Sequence, residues 1–451
     1  MPDARPDRRQ ELGQAPIGGL LLRYSLPAII AMMVNSTYNL ADTIFVGHGA
    51  GPLALAALAV CFPIQMFVLA IAQVVGIGSA SIISRSLGAG DQRKAERTAG
   101  SSFVVLAALS AVLTWLGLEF LTPILRLFGA SEAVLPYATD YLSVIIGGSF
   151  FFAYAVSSNN LVRAEGNVRV AMVSMLIGAG TNIVLDPIFI FGLHMGIRGA
   201  AIATVLANVC AFTYLTGYFL SGKSLLHIRW SDIRPYPAVL PEMFAVGSSS
   251  FTRVAAGSLL AIVLNNSIGY YGTDLHLAIL GVLNRVFLFF FMPLIGLAQG
   301  FQPIAGFNYG AGNSHRVREA LRAAILAATV ISSVMFVAIM AFPGQVLGLF
   351  SPEPELIAKG VAIARLLVIC SPTVGFQIIG ATLFQALGRA WPAFLLSITR
   401  QILFLIPLLL ALPLFLGLEG IWVAHPIADS LSFAVTLLWV RAELRRLGSR
   451  V

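Results

Sequence analysis

Long apolar runs separated by short polar segments dominate the 451-residue chain. Each run is long enough for a helix that crosses a bilayer, which needs about 20 apolar residues. No segment alternates apolar and polar residues as the strands of a membrane barrel do. The pattern therefore predicts an all-α polytopic membrane protein with twelve transmembrane helices. The runs lie at residues 20–46, 53–83, 99–122, 136–158, 170–192, 197–220, 243–270, 277–306, 320–342, 360–386, 391–415 and 420–440.

The composition supports a membrane location. Hydrophobic residues make up 58% of the sequence and charged residues 11%, whereas charged residues make up about a quarter of a soluble globular protein. Such a chain cannot cover its surface with polar side chains, so most of that surface must face lipid. The net charge of +8 is spread over short loops, which favours a role in membrane orientation. We therefore expect the lipid bilayer as a partner and no nucleic acid.

The Lys and Arg residues lie almost entirely on one side of the predicted spans. The termini and the even-numbered loops carry most of them, while the opposite side has Arg126, Arg198 and Lys359. Because the cytoplasmic loops of membrane proteins are enriched in Lys and Arg, both termini are predicted to be cytoplasmic. The expected location is the plasma (inner) membrane, with a multi-pass topology.

An internal repeat divides the chain into two halves. The sequence Gly-Ala-Gly-Asp at 88–91 recurs as Gly-Ala-Gly-Asn at 310–313, and Gly166 recurs as Gly388, all offset by 222 residues. Because six spans is an even number, both six-helix lobes have the same orientation, and a pseudo-two-fold axis along the membrane normal is predicted to relate them. The predicted domains are an N-terminal lobe at 1–222, a cytoplasmic linker at 223–242 and a C-terminal lobe at 243–451.

Several short strings form an ordered set along nearly the whole chain. They are YNLADTIFVG at 38–47, SRSLGAGD at 84–91, RAEGN at 163–167, NIVLDP at 182–187, GFQP at 300–303 and NYGAG at 308–312. In their order and spacing these strings resemble the multidrug and toxic compound extrusion (MATE) family of antiporters. The acids of spans 1 and 5 are similar to those of the branch with its cation site in the N-terminal lobe.

This resemblance implies a secondary active transporter that exports amphipathic, often cationic, organic compounds in exchange for H⁺ or Na⁺ by alternating access. It implies small-molecule amphiphilic substrates, no cofactor beyond the coupling ion, and a monomer. A flippase for a lipid-linked saccharide or another amphiphile is the alternative, because related families share the two-lobed plan and Arg253 and Arg285 offer positive charge for a phosphate. An enzyme is not expected, since the spans contain no His, Asp and Glu cluster of metal-ligand spacing.

Four polar residues in spans 1, 5 and 6 form the strongest candidate site: Asp42, Asn182, Asp186 and Thr204. A charge inside the bilayer costs at least about 2.5–3.5 kcal/mol, so such residues are functional candidates. With a helical rise of about 1.5 Å per residue, all four reach the outer half of the bilayer. Two carboxylates, an amide and a hydroxyl suit Na⁺ or a proton. The resemblance assigns these positions to cation coupling, with no other metal, and the alternative is a structural polar cluster.

Polar residues in spans 1 and 4 are candidates to line a substrate cleft. A single aromatic or amide side chain in a membrane protein more often packs than binds substrate, so packing is the alternative interpretation for each of them. The candidates are Asn35, Tyr38, Asn39, Asn159 and Asn160.

Pro27 lies inside span 1, where it removes one helical hydrogen bond and permits a kink. One interpretation is a static bend, which is common because proline is frequent in membrane helices. The resemblance implies instead a conformational hinge, at which span 1 bends as Asp42 changes protonation.

The second half differs from the first in its charges. Arg400 in span 11 and Asp429 in span 12 lie at similar depth, and we expect a structural ion pair because buried charges need partners. His425 takes the position that corresponds to Thr204 in the first half, at an offset of 221 residues. The duplicated lobes are therefore expected to share a scaffold and to differ in chemistry.

The predicted topology can be tested with single cysteines in a variant that lacks the native ones. Cysteines at His48 and Arg198 should react with a membrane-impermeant thiol reagent added to whole cells, because both positions are predicted to be extracellular. Cysteines at Arg93 and Arg229 should react only after the membrane is opened. Reaction of either of the latter two in intact cells would contradict the twelve-span topology.

Overall fold

The computed structural model of the chain describes residues 8–349 and 353–448. The outer ends of the predicted lobes, 1–7 and 449–451, lie outside the described residues. Helices follow one another along the described chain, which contains no β-strand in these ranges. The α-helices are α1 Arg8–Gln14, α2 Ile17–Ala50, α3 Pro52–Gly88, α4 Gln92–Glu119, α5 Leu121–Leu127, α6 Leu135–Gly147, α7 Ser149–Ala164, α8 Val168–Pro187, α9 Gly196–Leu220, α10 Leu240–Tyr271, α11 Asp274–Gly310, α12 Ser314–Ala341, α13 Pro343–Gly348, α14 Pro354–Val368, α15 Ser371–Ala386, α16 Ala390–Ile398, α17 Ile406–Ala411, α18 Pro413–Leu416 and α19 Leu418–Gly448.

The all-α membrane fold predicted from the apolar runs is confirmed. Among the described residues, ten helical segments are long and apolar enough to cross a bilayer, and the number rises to twelve if each of two bent helix pairs is one span. The pairs are α6 with α7, bent by 52°, and α14 with α15, bent by 47°. The first bend lies at Gly148, where an added Cβ would lie 2.4 Å from Val205 Cγ2. A side chain at that position would push α9 away from the bend.

The chain folds into two compact units, and the boundaries of these units differ from those of the predicted lobes. Ile30–Phe251 belongs to the first unit together with residues 8–10, and Glu11–Ile29 belongs to the second unit together with the described residues between 252 and 448. One of the three divisions lies in the short helix α1, and the other two fall inside the long helices α2 and α10, 222 residues apart. This is the offset of the sequence repeat. The lobe bounds at 1–222 and 243–451 remain a proposal about the duplication.

Close backbone packing explains why Glu11–Ile29 joins the second unit. Gly296 and Gly300 of α11 face the first half of α2, and an added Cβ at Gly300 would lie 2.4 Å from Ser25 Oγ. Small residues let membrane helices approach closely, and van der Waals contact then stabilises the pair. Arg316 of α12 also donates to the carbonyl oxygen of Ala15 at 2.7 Å and to that of Leu12 at 3.2 Å. These contacts fix the start of α2 on the second unit.

The first half of α10 is fixed to the first unit in the same way. Gly78 of α3 meets the backbone of α10, where an added Cβ would lie 2.0 Å from the carbonyl oxygen of Met243. Gly247 of α10 meets α3 in return, and an added Cβ would lie 2.0 Å from the carbonyl oxygen of Val74. Any larger residue at either glycine would separate the two helices.

A buried carboxyl group holds the chain after α9 against the first unit. Glu165, just after α7, is 0% exposed. It accepts hydrogen bonds from Ser224 Oγ at 2.6 Å, from the backbone N–H of Leu225 at 2.7 Å and from the hydroxyl of Tyr218, and Arg8 lies 3.7 Å away. Burial raises the pKa of Glu165, and the hydrogen bonds from Ser224 and Tyr218 oppose the rise. One side chain thus joins α9, the following loop and the N-terminus.

Replacing Glu165 with Ala should lower the free energy of unfolding by about 1–3 kcal/mol, the usual cost of leaving buried hydrogen-bond donors without acceptors. Glu165→Gln keeps an acceptor oxygen and should cost less. Thermal unfolding of the purified protein in detergent measures both. Glu132→Gln is the control, because Glu132 is exposed and pairs with Arg126 at 3.0 Å, and it should leave the unfolding temperature nearly unchanged. Equal unfolding temperatures for Glu165→Ala and the control would contradict the role of Glu165.

Candidate cation site in the first unit

The structure brings the four predicted coupling residues together within the first unit. Asn182 and Asp186 lie on α8, Thr204 on α9 and Asp42 on α2. Asn182 Nδ2 donates to Asp186 Oδ1 at 3.2 Å and to Thr204 Oγ1 at 3.3 Å. The carboxyl groups of Asp42 and Asp186 also lie close enough to interact with each other. Because an ionised carboxylate is only an acceptor, the two acids can hydrogen-bond to each other only when one of them carries a proton.

Three oxygens at this site are buried and have no hydrogen-bond partner within the described part of the chain. They are Asp42 Oδ1, Asn182 Oδ1 and Asp186 Oδ2. Buried polar atoms are nearly always paired, so three acceptors at one place need an explanation. All three are hard oxygen ligands of the kind that alkali and alkaline-earth cations prefer. The residues present therefore fit a small cation, or a proton on the acid pair.

The local sequence around Asp186 explains how the site forms. Pro187 follows Asp186 at the end of α8, and the chain then continues as a π-helical turn over Ile188–Gly192. Such turns are rare and are frequent at functional sites. Gly49 near the end of α2 lies against this turn, since an added Cβ would be 2.2 Å from Ile190 Cγ2. A glycine at this position lets α2 approach closely enough for Asp42 to reach Asp186.

Two residues near the acid pair were not predicted. Gln65 of α3 donates to the hydroxyl of Tyr141 of α6 at 3.1 Å, and Tyr141 is 4% exposed. Tyr141 lies close enough to Asp42 and Tyr38 to interact with them electrostatically. Gln65, one of two glutamines inside the apolar run of α3, was an available signal. Tyr141 had none, because a tyrosine in a membrane helix usually packs without a functional role.

The cleft candidates on α7 are buried and bonded to side chains of their own unit. Asn159 is 4% exposed and donates to Ser174 Oγ of α8 at 2.7 Å. Asn160 is 6% exposed, donates to Gln73 Oε1 at 3.2 Å and accepts from Arg163 at 2.9 Å. These bonds hold α7 against α3 and α8, which favours a packing role for both asparagines.

The cleft candidates on α2 are more accessible. Asn35 and Tyr38 are half-buried and Asn39 is exposed. Asn39 Nδ2 donates to the carbonyl oxygen of Asn35 at 2.7 Å, one turn earlier in the same helix. Tyr38 lies close enough to Asp42 and Asp186 to interact with both electrostatically. Tyr38 thus connects the accessible part of α2 with the acid pair.

The MatE family model matches the chain twice, over residues 27–188 and 250–410. Together the two matches cover more than half of the chain, and each lies in one half of the sequence repeat. The chain belongs to the MatE family.

Similar proteins include exporters and transporters of this family. The multidrug export protein MepA of Staphylococcus aureus (strain MSSA476) is 26% identical over 427 residues, which cover 95% of this chain and 94% of MepA. A solved structure of the MATE multidrug transporter DinF-BH is 40% identical, with a TM-score of 0.89 over 95% of this chain and 96% of that chain. An outward-facing multidrug resistance MATE family transporter is 29% identical, with a TM-score of 0.92 over 97% of this chain and 98% of that chain.

Membership of the MatE family confirms three predictions from the sequence. The chain belongs to the family that its motifs resemble, it is an all-helical membrane transporter, and it is not an enzyme. The names of the relatives do not favour the flippase alternative. Within the described residues, no group of three or more His, Cys, Asp and Glu side chains is arranged to hold a metal ion.

The second unit of this MatE protein places an ion pair where the sequence predicts one. Arg400 lies in a π-helical segment, Thr399–Leu405, and its Nε donates to Asp429 Oδ1 of α19 at 2.5 Å. Asp429 is 2% exposed. His425, one turn before Asp429, forms a hydrogen bond through Nδ1 with the carbonyl oxygen of Ile421 at 3.0 Å. The acid of this unit is thus neutralised by a fixed positive charge.

A double-mutant cycle tests the structural role of this pair. Arg400→Gln or Asp429→Asn alone should reduce the yield of folded protein strongly, because removing one partner of a buried pair costs up to about 3–5 kcal/mol. The double variant should recover part of the loss. The exposed pair Lys359–Glu355, joined at 2.9 Å, is the control and should show little coupling. Purely additive losses at Arg400 and Asp429 would contradict the pairing.

Proposed function

We propose that this protein exports amphipathic, often cationic, organic compounds in exchange for H⁺ or Na⁺. The observation that carries the proposal is the pair of neighbouring acids, Asp42 and Asp186, at a site where one oxygen of each acid and Asn182 Oδ1 are buried without a hydrogen-bond partner among the described residues. A cost of at least about 2.5–3.5 kcal/mol for a charge in the bilayer makes a purely structural acid pair hard to explain. The relatives, named as multidrug exporters and transporters, support organic substrates.

The proposed coupling follows from the electrostatics of the acid pair. With neither proton nor Na⁺ bound, two carboxylates would face each other in a medium of low dielectric and repel strongly. A bound cation removes this repulsion. Binding and release of the cation therefore change the free energy of the conformation in which the two acids lie close together. A ligand shifts a conformational equilibrium only by its difference in affinity for the two states, and the acid pair supplies such a difference.

Alternating access completes the proposal, with Pro27 as the hinge. Pro27 interrupts the hydrogen bonding of α2 just before Ile30, where the chain passes from the second compact unit to the first. A helix without one backbone hydrogen bond bends there at low cost. The half of α2 that follows Pro27 carries Asp42, so a bend at Pro27 would move Asp42 relative to Asp186 on α8. The outward-facing MATE transporter described above supports such a cycle.

The remaining parts of the proposal concern location and assembly. We propose that the protein lies in the plasma (inner) membrane as a monomer, and the distribution of Lys and Arg residues supports cytoplasmic termini. The substrate contacts proposed are Asn35, Tyr38 and Asn39 on the accessible part of α2. No cofactor other than the coupling ion is proposed.

Asp42→Asn and Asp186→Asn should each abolish gradient-driven efflux from proteoliposomes, because an amide cannot take up a proton or balance the charge of Na⁺. Efflux should be measured under separately imposed pH and Na⁺ gradients, which also identifies the coupling ion. His425→Gln, at the position of the other half that corresponds to Thr204, should cause a much smaller loss. Asp140→Asn removes an exposed acid of the same unit and should leave efflux unchanged.

Protein yield and substrate binding distinguish coupling from folding in these variants. Both Asn variants should insert correctly and still bind substrate. If Asp42→Asn and Asp186→Asn keep wild-type coupled efflux, or if both fail to fold, the proposed coupling site is wrong.

A further inference from the structure

A cavity lies at the ends of two helices of the second unit, apart from the residues discussed so far. Its volume is about 410 Å³, and it is formed by the turn between α15 and α16, the first residues of α16 and the last turns of α19. Small-molecule sites usually have volumes of about 300–1,000 Å³, so the cavity is large enough for a lipid headgroup. Its principal side chains are Arg389, Trp391, Trp439, Glu443 and Arg446.

The charges around this cavity leave an excess of positive charge. Arg389 lies 3.5 Å from Glu443 and Arg446 lies 3.8 Å from the same carboxylate. Glu443 is 3% exposed, so two guanidinium groups share one buried anion. Arg389 Nε is buried and has no hydrogen-bond acceptor among the described residues. The side chains that line the cavity therefore carry a net positive charge that a phosphate would match.

Aromatic side chains indicate the depth of the cavity in the membrane. Trp391 at the start of α16 is 64% exposed and stacks on Phe394 with ring centroids 6.0 Å apart. Trp439 packs edge-on against Phe384 on the opposite side. Tryptophan at the end of a membrane span typically lies at the level of the lipid headgroups. An exposed tryptophan beside two arginines thus offers an apolar surface for the glycerol and acyl part of a lipid.

We propose that this cavity binds the phosphate of an anionic phospholipid, with Arg389 and Arg446 as the phosphate ligands and Trp391 against the lipid backbone. Basic pockets between membrane helices on the cytoplasmic side bind anionic headgroups, and the positive-inside rule places this end of α16 and α19 on that side. The aromatic surface favours a lipid over a free anion, because inorganic phosphate has no apolar part to cover Trp391.

The site can be tested with purified protein in detergent and added phosphatidylglycerol, using native mass spectrometry to count retained lipid. Wild-type protein should retain phosphatidylglycerol in preference to phosphatidylcholine. Arg446→Gln should weaken this binding about fivefold, since one arginine near a lipid surface contributes about that factor, while Glu443 keeps its partner Arg389. Arg446→Lys should restore most of the binding. Arg445→Gln is the matched control, because Arg445 is an exposed neighbour on α19 that does not line the cavity.

A second pair of variants tests the aromatic wall. Trp391→Leu should reduce lipid retention, whereas Trp115→Leu should not, although Trp115 is 65% exposed and Trp391 is 64% exposed. An excess of inorganic phosphate should compete weakly with the lipid. Equal effects of Arg446→Gln and Arg445→Gln, or equal retention of the two lipids, would overturn the proposal. Full displacement of the lipid by phosphate would identify a soluble anion as the ligand instead, which also overturns it.

Discussion

The cost of taking charged side chains out of water is the constraint on which the other features of this structure depend. A chain with 11% charged residues has few charges to bury, and each buried acid at its sites has a polar neighbour. Asp42 and Asp186 lie close together, and Asp429 is held by Arg400. Glu165, just beyond the end of a span, accepts hydrogen bonds from three donors. The chemistry of each part of the protein depends on the group that lies next to the buried acid of that part.

Duplication has produced two halves with one scaffold and different charge balances. In the first unit the acid Asp186 faces a second acid, so the pair needs a mobile positive charge. In the second unit Asp429 faces Arg400, and His425 stands where the first half has Thr204. A fixed cation removes any need for a bound ion. On the proposed function, only the first half of the duplicated fold retains the chemistry that an ion gradient can use.

Two helices at equivalent positions of the duplication, α2 and α10, each begin in one compact unit and end in the other. The start of α2 packs with the second unit and the start of α10 with the first, at positions one repeat length apart. Glycines at both contacts, such as Gly300 and Gly78, allow the backbones to approach closely. Pro27 lies next to the point where α2 passes from one unit to the other. A change in the bend of α2 at Pro27 would therefore also change how this helix packs.

Much of this protein could be predicted from the sequence, because span length, charge bias and repeat offset are local or linear properties. The rise of an α-helix even placed Asp42, Asn182, Asp186 and Thr204 at a common depth. Depth does not say which helices are neighbours, and so the contact of Tyr141 with the site and the bonds of Asn159 within its unit could not be predicted. The same holds for the packing of Glu11–Ile29 with the second unit and for the pairing of Glu443 with two arginines. Lateral contacts between helices depend on side-chain shape and close backbone approach across distant parts of the chain, and only the tertiary structure decides them.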